Sequence, residues 1–174
     1  MSRAGIRVFQ VRAKSLAARP FVELVRAVRR ALPPDSVLIV NDRADVARIA
    51  GADGVHVGDE DLLPDAVRRV FPGIVGLSTH SLADVCKARG CDYLGFGPIF
   101  ASPTKPTDRP RLGVEGVAQA RAATDLPIVA IGGIRFEDIA ALRNAGASGV
   151  ALVSALSVPG RYRELAHRAV EAFG

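Results

Sequence analysis

Two clusters of carboxylates and a few lysine and arginine side chains are the residues of this chain best suited to chemistry. Asn41-Asp42 directly follows the apolar run Val37–Val40, and Asp59-Glu60-Asp61 follows the next run, Gly54–Val57. Neighbouring strands of a sheet lie about 4.8 Å apart, so these carboxylates can converge. Several oxygens around one point suit Mg2+, which usually takes one or two carboxylates plus substrate phosphates. The same residues also suit helix capping: Asp42 precedes a helix expected from Arg43, and Asp61 precedes one expected from Pro64. Spacing alone leaves both readings open.

Arg12 and Lys14 alternate along an extended segment and therefore face one side. Lys105 comes from the longest loop. Lysine occurs only at 14, 87 and 105, against twenty arginines, so two of the three lysines fall at expected strand ends. Cations beside a divalent ion make a diphosphate pocket; the plain alternative is a solvated rim. Gly132-Gly133 follows the run Ile128–Ile131 and lets backbone N–H groups approach phosphate oxygens closely. His80 follows Ser78-Thr79 at a strand end. His56 sits within a strand, either packed or lining the interior, and His167 falls on the outside of the last helix. Chain order suggests no Ser-His-Asp or Cys-His set. Cys86 and Cys91 fit no common zinc spacing and read as two buried free thiols.

The elements that must position these residues are seven short apolar segments: Ile6–Val11, Val37–Val40, Gly54–Val57, Ile74–Leu77, Tyr93–Phe96, Ile128–Ile131 and Gly149–Val153. Near-continuous Val/Ile/Leu runs are the mark of buried parallel strands. Helical stretches alternate with them, near 20–32, 43–50, 64–70, 81–89, 114–123, 136–145 and 160–172. In the first, Phe21, Leu24, Val25 and Val28 form one apolar stripe. Alternating strand and helix predicts a parallel sheet with crossover helices, α/β in class and a TIM (β/α)8-type barrel in architecture. Polar residues at the C-terminal ends of strands are how such barrels build a site.

A turn recurs between helix and strand: Ala50-Gly51-Ala52-Asp53, Arg89-Gly90-Cys91-Asp92 and Ala145-Gly146-Ala147-Ser148, with an echo at Ala4-Gly5. Its glycine supplies the left-handed conformation that ends a helix. Seven βα units are one short of the eight that close a barrel, so the first unit is expected to be missing ahead of Met1 from one domain over residues 1–174: either the start is misassigned or the barrel is open beside the Ile6 strand.

Composition narrows the function classes. Hydrophobic residues make up 49% of the 174, which argues for a packed globule and against disorder. No apolar run approaches a membrane span, and the start carries no signal-peptide stretch, so a cytoplasmic location is expected. The net charge of +5 comes from scattered residues and aromatics are only 5%, which disfavours nucleic acid and suits small anionic substrates. An unpaired edge strand invites dimerisation, so a homo-oligomer is compatible with the sequence, which does not fix the oligomeric state.

Taken together, these pieces resemble the thiamine phosphate synthase family, in the superfamily that also holds the thiazole tautomerases. The matching stretches are Gln10-Val11-Arg12-Ala13-Lys14, Asn41-Asp42-Arg43-Ala44-Asp45, Gly51 through Gly58, Glu60-Asp61-Leu62, Gly76-Leu77-Ser78-Thr79-His80, and Asp92-Tyr93 through Gly97-Pro98-Ile99-Phe100. Thr104-Lys105, Leu112-Gly113, Ala130 through Ile134 and Val153-Ser154 follow in family order. The resemblance implies a transferase that joins hydroxymethylpyrimidine pyrophosphate to thiazole phosphate, releasing pyrophosphate. It implies Mg2+ on Asp42 and Asp61. Gln10, Arg12, Lys14, Asn41, Ser78 and Lys105 would hold the pyrimidine pyrophosphate, with Lys14, Ser78 and Lys105 catalytic. Ser102, Thr104, Gly133, Val153 and Ser154 would hold the thiazole phosphate. Asp59 departs from the usual Gln, and Ser102 from the usual Thr. The alternatives are a thiazole tautomerase, disfavoured by the retained Asn41-Asp42 and Pro98, and a non-catalytic truncated homologue.

Overall fold

The computed structural model describes residues 4–101 and 108–174. Seven parallel strands run in simple order: β1 (Val8–Val11), β2 (Val37–Asn41), β3 (Gly54–Val57), β4 (Ile74–Thr79), β5 (Tyr93–Phe96), β6 (Ile128–Ile131) and β7 (Gly149–Ala151). Helices α1 (Ala18–Ala31), α2 (Ala44–Ala50), α3 (Pro64–Arg68), α4 (Leu82–Lys87), α5 (Gly113–Ala123), α6 (Ile139–Asn144) and α7 (Tyr162–Phe173) follow the strands in turn. The curled sheet is the α/β barrel type expected from the alternation. Among the described residues β1 and β7 are its two edges.

Alternation along the strands sorts their side chains. One face packs on the helices in two clusters. Phe21, Val25, Leu38, Val40, Val55, Val57 and Val75 lie under α1 to α3. Leu94, Phe96, Val117, Ile128, Ile139 and Leu142 lie under the later helices. Leu77 touches both. The opposite face points into the barrel and is largely polar or empty: the paired positions run Asn41, His56, Gly76, Tyr93 from β2 to β5, with Ser78 opposite Gly95 one step higher.

The repeated turn proves to be a structural device. Gly51, Gly90 and Gly146 all take positive φ. The residue two places later reaches back to the preceding strand. Asp53 Oδ2 accepts from the Leu38 N–H at 2.7 Å, Asp92 Oδ2 from the Val75 N–H at 2.7 Å, and Ser148 Oγ from the Ile128 N–H at 3.3 Å. Arg29 and Arg68 add charge to the two carboxylates. Each turn thus satisfies a backbone donor at the N-terminal end of the sheet, away from the strand ends that carry the site.

Three expectations need correction. Leu24 is on the exposed side of α1, and Val22 completes the buried stripe with Phe21 and Val25. The sixth helical stretch opens as a 3-10 turn at Phe136–Asp138 before α6. Cys86 is exposed and only Cys91 is buried, because α4 turns its Val85 side inward.

The turn makes a stability prediction. Asp53→Ala leaves the Leu38 N–H without its acceptor and should cost about 1–3 kcal/mol in urea unfolding. Asp45→Ala, which removes an exposed pair with Arg43 and a first-turn carboxylate of α2, should cost at most about 1 kcal/mol. Equal losses would show that the turn carboxylate contributes nothing special.

Candidate active site

The C-terminal ends of β1 to β3 bring together the first group of predicted residues. Arg12, just past β1, donates from Nη1 to Asn41 Oδ1 at 2.8 Å. Asn41 is buried at the end of β2. Asp42 is the one non-glycine residue among those described with positive φ, at 64°. Asp and Asn tolerate that region better than other side chains, and such strain clusters at functional sites. The backbone at Asp42 is fixed by its N–H donating to the His56 carbonyl at 2.8 Å. Its carboxylate meets Lys14 Nζ at 3.2 Å and Arg12 Nη1 at 4.0 Å. Gln10 lies on the inner face of β1, opposite in sense to Phe9 and Val11, which pack toward the helices.

Neither Asp42 nor Asp61 caps a helix. The positions flanking α2 and α3 are Arg43 and Leu63, and neither carries a side-chain cap bond. Asp61 instead accepts from the Gly58 N–H at 2.8 Å, which holds its carboxylate over the mouth. There it comes within hydrogen-bond reach of Asp42. The Asp42 carboxyl is raised above its ordinary value, first by burial and then by Asp61, against the pull of Lys14. Lys14, Asn41, Asp42 and Asp61 line one cavity of about 220 Å3. Two neighbouring carboxyls on one cavity fit a divalent cation whose remaining ligands come from phosphate or water. Among the described residues no third acidic, His or Cys side chain joins them.

Deeper in the barrel, His56 lies between two hydroxyls. Its Nε2 is 2.9 Å from Ser78 Oγ and its Nδ1 is 2.9 Å from Tyr93 Oη. Glycines make the room. A Cβ at Gly76 would overlap both the Tyr93 ring and His56, and one at Gly95 would press on the His56 ring. Burial, helped by the Arg12 charge, lowers the His56 pKa to about 4, so the ring is neutral. Burial raises that of the Tyr93 phenol. This trio was not predicted as a unit. Its signal was present in the two glycines standing at positions that face His56 on successive strands.

Around the rim, His80 Nδ1 lies 2.6 Å from the Gly97 carbonyl and therefore carries the proton on that nitrogen. Asp59 pairs with Arg109 at 2.6 Å, which lowers its pKa and offsets the extra charge expected there. At the β6 end, Gly132 and Gly133 both take positive φ, and the Phe100 N–H donates to the Gly132 carbonyl at 2.9 Å. A Cβ at Gly133 would strike the backbone of Phe100 and Ala101. Val153 and Ser154 are exposed beyond β7, Ser154 opening a short 3-10 turn. Ser102, Thr104 and Lys105 lie outside the described residues.

Comparison with known proteins agrees with this fold. A family model described as thiamine monophosphate synthase matches residues 1–156. The thiamine-phosphate synthase of Albidiferax ferrireducens is 42% identical over 159 residues, covering 88% of this chain and 73% of that one. The one from Caldivirga maquilingensis is 39% identical over 173 residues, covering 97% and 84%. A solved thiamine phosphate pyrophosphorylase from Pyrococcus furiosus superposes with a TM-score of 0.85 at 31% identity, covering 95% of this chain and 82% of that one. With the family model spanning most of its length and relatives this similar, the chain belongs to the thiamine monophosphate synthase family.

Proposed function

We propose that this chain, as a single (βα) barrel domain over residues 1–174, is a thiamine-phosphate synthase acting in the cytoplasm. It condenses hydroxymethylpyrimidine pyrophosphate with thiazole phosphate and releases pyrophosphate. The observation that carries the reading is the Asp42–Asp61 carboxyl pair facing one cavity with Lys14 and flanked by Arg12. An isomerase of thiazole phosphate alone has no use for that pair. No helix among the described residues is long and apolar enough to cross a membrane.

The reaction breaks the bond between the pyrimidine methylene carbon and the diphosphate oxygen, and the electron pair leaves with the diphosphate. The thiazole nitrogen lone pair then forms the new carbon–nitrogen bond, giving a thiazolium. No proton has to move. Such a step needs charge neutralised on the leaving group and two partners held in line. Asp42 and Asp61 would hold Mg2+, which when bound neutralises charge on the diphosphate. Arg12, Lys14 and Lys105 supply cations to the same oxygens. Gln10, Asn41 and Ser78 orient the pyrimidine substrate. Ser102, Thr104, Gly133, Val153 and Ser154 anchor the thiazole phosphate, which sets the direction of attack.

The decisive experiment mixes the purified chain with both phosphorylated substrates and Mg2+ and follows thiamine phosphate. Product should form, and EDTA should abolish it; conversion of a thiazole phosphate isomer without Mg2+ would favour the tautomerase instead. Asp61→Asn should raise the Mg2+ concentration needed for half-maximal rate, and an unchanged titration would remove Asp61 from the metal. Lys14→Ala should lower kcat/KM by about 10²-fold, roughly 2.7 kcal/mol of transition-state stabilisation. Its side chain is half exposed, so the melting temperature should hardly move. Near-normal turnover would assign Lys14 to the rim alone.

A further inference from the structure

The His56 ring bridges two hydroxyls and, being neutral, can donate to only one of them. Tyr93 decides which. Its phenol is largely buried, and His56 Nδ1 is its one hydrogen-bond partner among the described residues. A phenol O–H that accepted from Nδ1–H would leave its own hydrogen without a protein acceptor, which is unfavourable for a largely buried group. The favourable arrangement has Tyr93 donating to Nδ1, which places the ring proton on Nε2. Nε2–H then donates to Ser78 Oγ. That bond occupies a lone pair of Ser78 and leaves its hydroxyl hydrogen free to turn toward the mouth.

We propose that Tyr93 and His56 are positioning residues that set Ser78 as a hydrogen-bond donor toward the anionic oxygens of the diphosphate substrate. The proposal rests on the functional reading above for the identity of that anion. Diphosphate oxygens only accept, so a Ser78 whose hydrogen was committed to His56 would present lone pairs to lone pairs. The relay Tyr93 O–H to Nδ1, and Nε2–H to Ser78 Oγ, removes that arrangement before substrate arrives. Gly76 and Gly95 belong to the same device, since a side chain at either would displace the ring.

The ring tautomer can be read without substrate. In chain labelled with 15N-histidine, long-range proton–nitrogen spectra distinguish Nε2–H from Nδ1–H rings. Only His56, His80 and His167 contribute, and His80→Gln and His167→Gln assign the signals by loss. His56 should be the Nε2–H tautomer at neutral pH. Tyr93→Phe keeps the ring and its packing; it should bring in the Nδ1–H form at His56 and weaken binding of inorganic pyrophosphate with Mg2+ about tenfold. A wild-type His56 in the Nδ1–H form overturns the proposal. So does a Tyr93→Phe chain whose pyrophosphate affinity is unchanged. If that variant fails to fold, the wild-type tautomer decides. The spectra and the pyrophosphate titration do not depend on turnover, so an Nε2–H ring and a weakened variant in a chain that makes no thiamine phosphate would overturn the functional reading and leave the relay standing.

Discussion

The mouth of this barrel depends on two carboxyls being kept close together against their own repulsion. Asp42 is turned toward Asp61 by a backbone conformation that side chains rarely adopt, and Asp61 is held by the Gly58 N–H. Burial is the first reason that Asp42 lies above its usual carboxylate range, and the neighbouring Asp61 carboxyl raises it further. Lys14 and Arg12 relieve part of that cost, as a divalent ion with phosphate ligands would more fully. The frame around the pair answers to it: β2 delivers Asp42 directly from a buried strand, and the His56 carbonyl on β3 pins its N–H. A looser loop would let the two carboxyls part.

Stability and chemistry are divided between the two ends of the sheet. At the N-terminal end, one turn is used three times, and each copy ties a strand N–H to an Asp or Ser side chain. Those bonds fix strand register, and register decides which residues face inward. A slip of one residue would bury Val55 or Val57 in the barrel and push His56 under the helices. The polar interior therefore relies on bonds made at the far end of the same strands.

Much of this was legible in the chain. The apolar runs, the repeated glycine turn and the polar residues after each strand gave the barrel and the carboxylate pair, because each is a local pattern. What escaped depended on distance or on a hydrogen bond. Spacing alone allowed capping by Asp42 or Asp61; it is the lack of a side-chain cap bond on α2 and α3, with Asp61 accepting from Gly58, that removes it. Asp59 and Arg109 are 50 positions apart, so their pairing could not be read from either neighbourhood. His56, Ser78 and Tyr93 sit on three strands and meet only once register is known. Leu24 and Val22 exchanged places because a helical stripe fixes a face to within about one residue and not its edge.

The neutral interior also suits the proposed reaction. Departure of a diphosphate leaves positive charge on the pyrimidine methylene, while negative charge gathers on the leaving oxygens. Cations therefore help on the leaving-group side and oppose the reaction if placed beneath the carbon. The chain puts Arg12 and Lys14 at the rim, where they meet Asp42. Beneath them it places a histidine whose pKa of about 4 and a tyrosine whose raised pKa keep both groups uncharged at physiological pH. Desolvation is the first cause of both shifts, so the empty positions at Gly76 and Gly95 act twice. They admit the rings, and by drawing them into the barrel they hold its interior neutral.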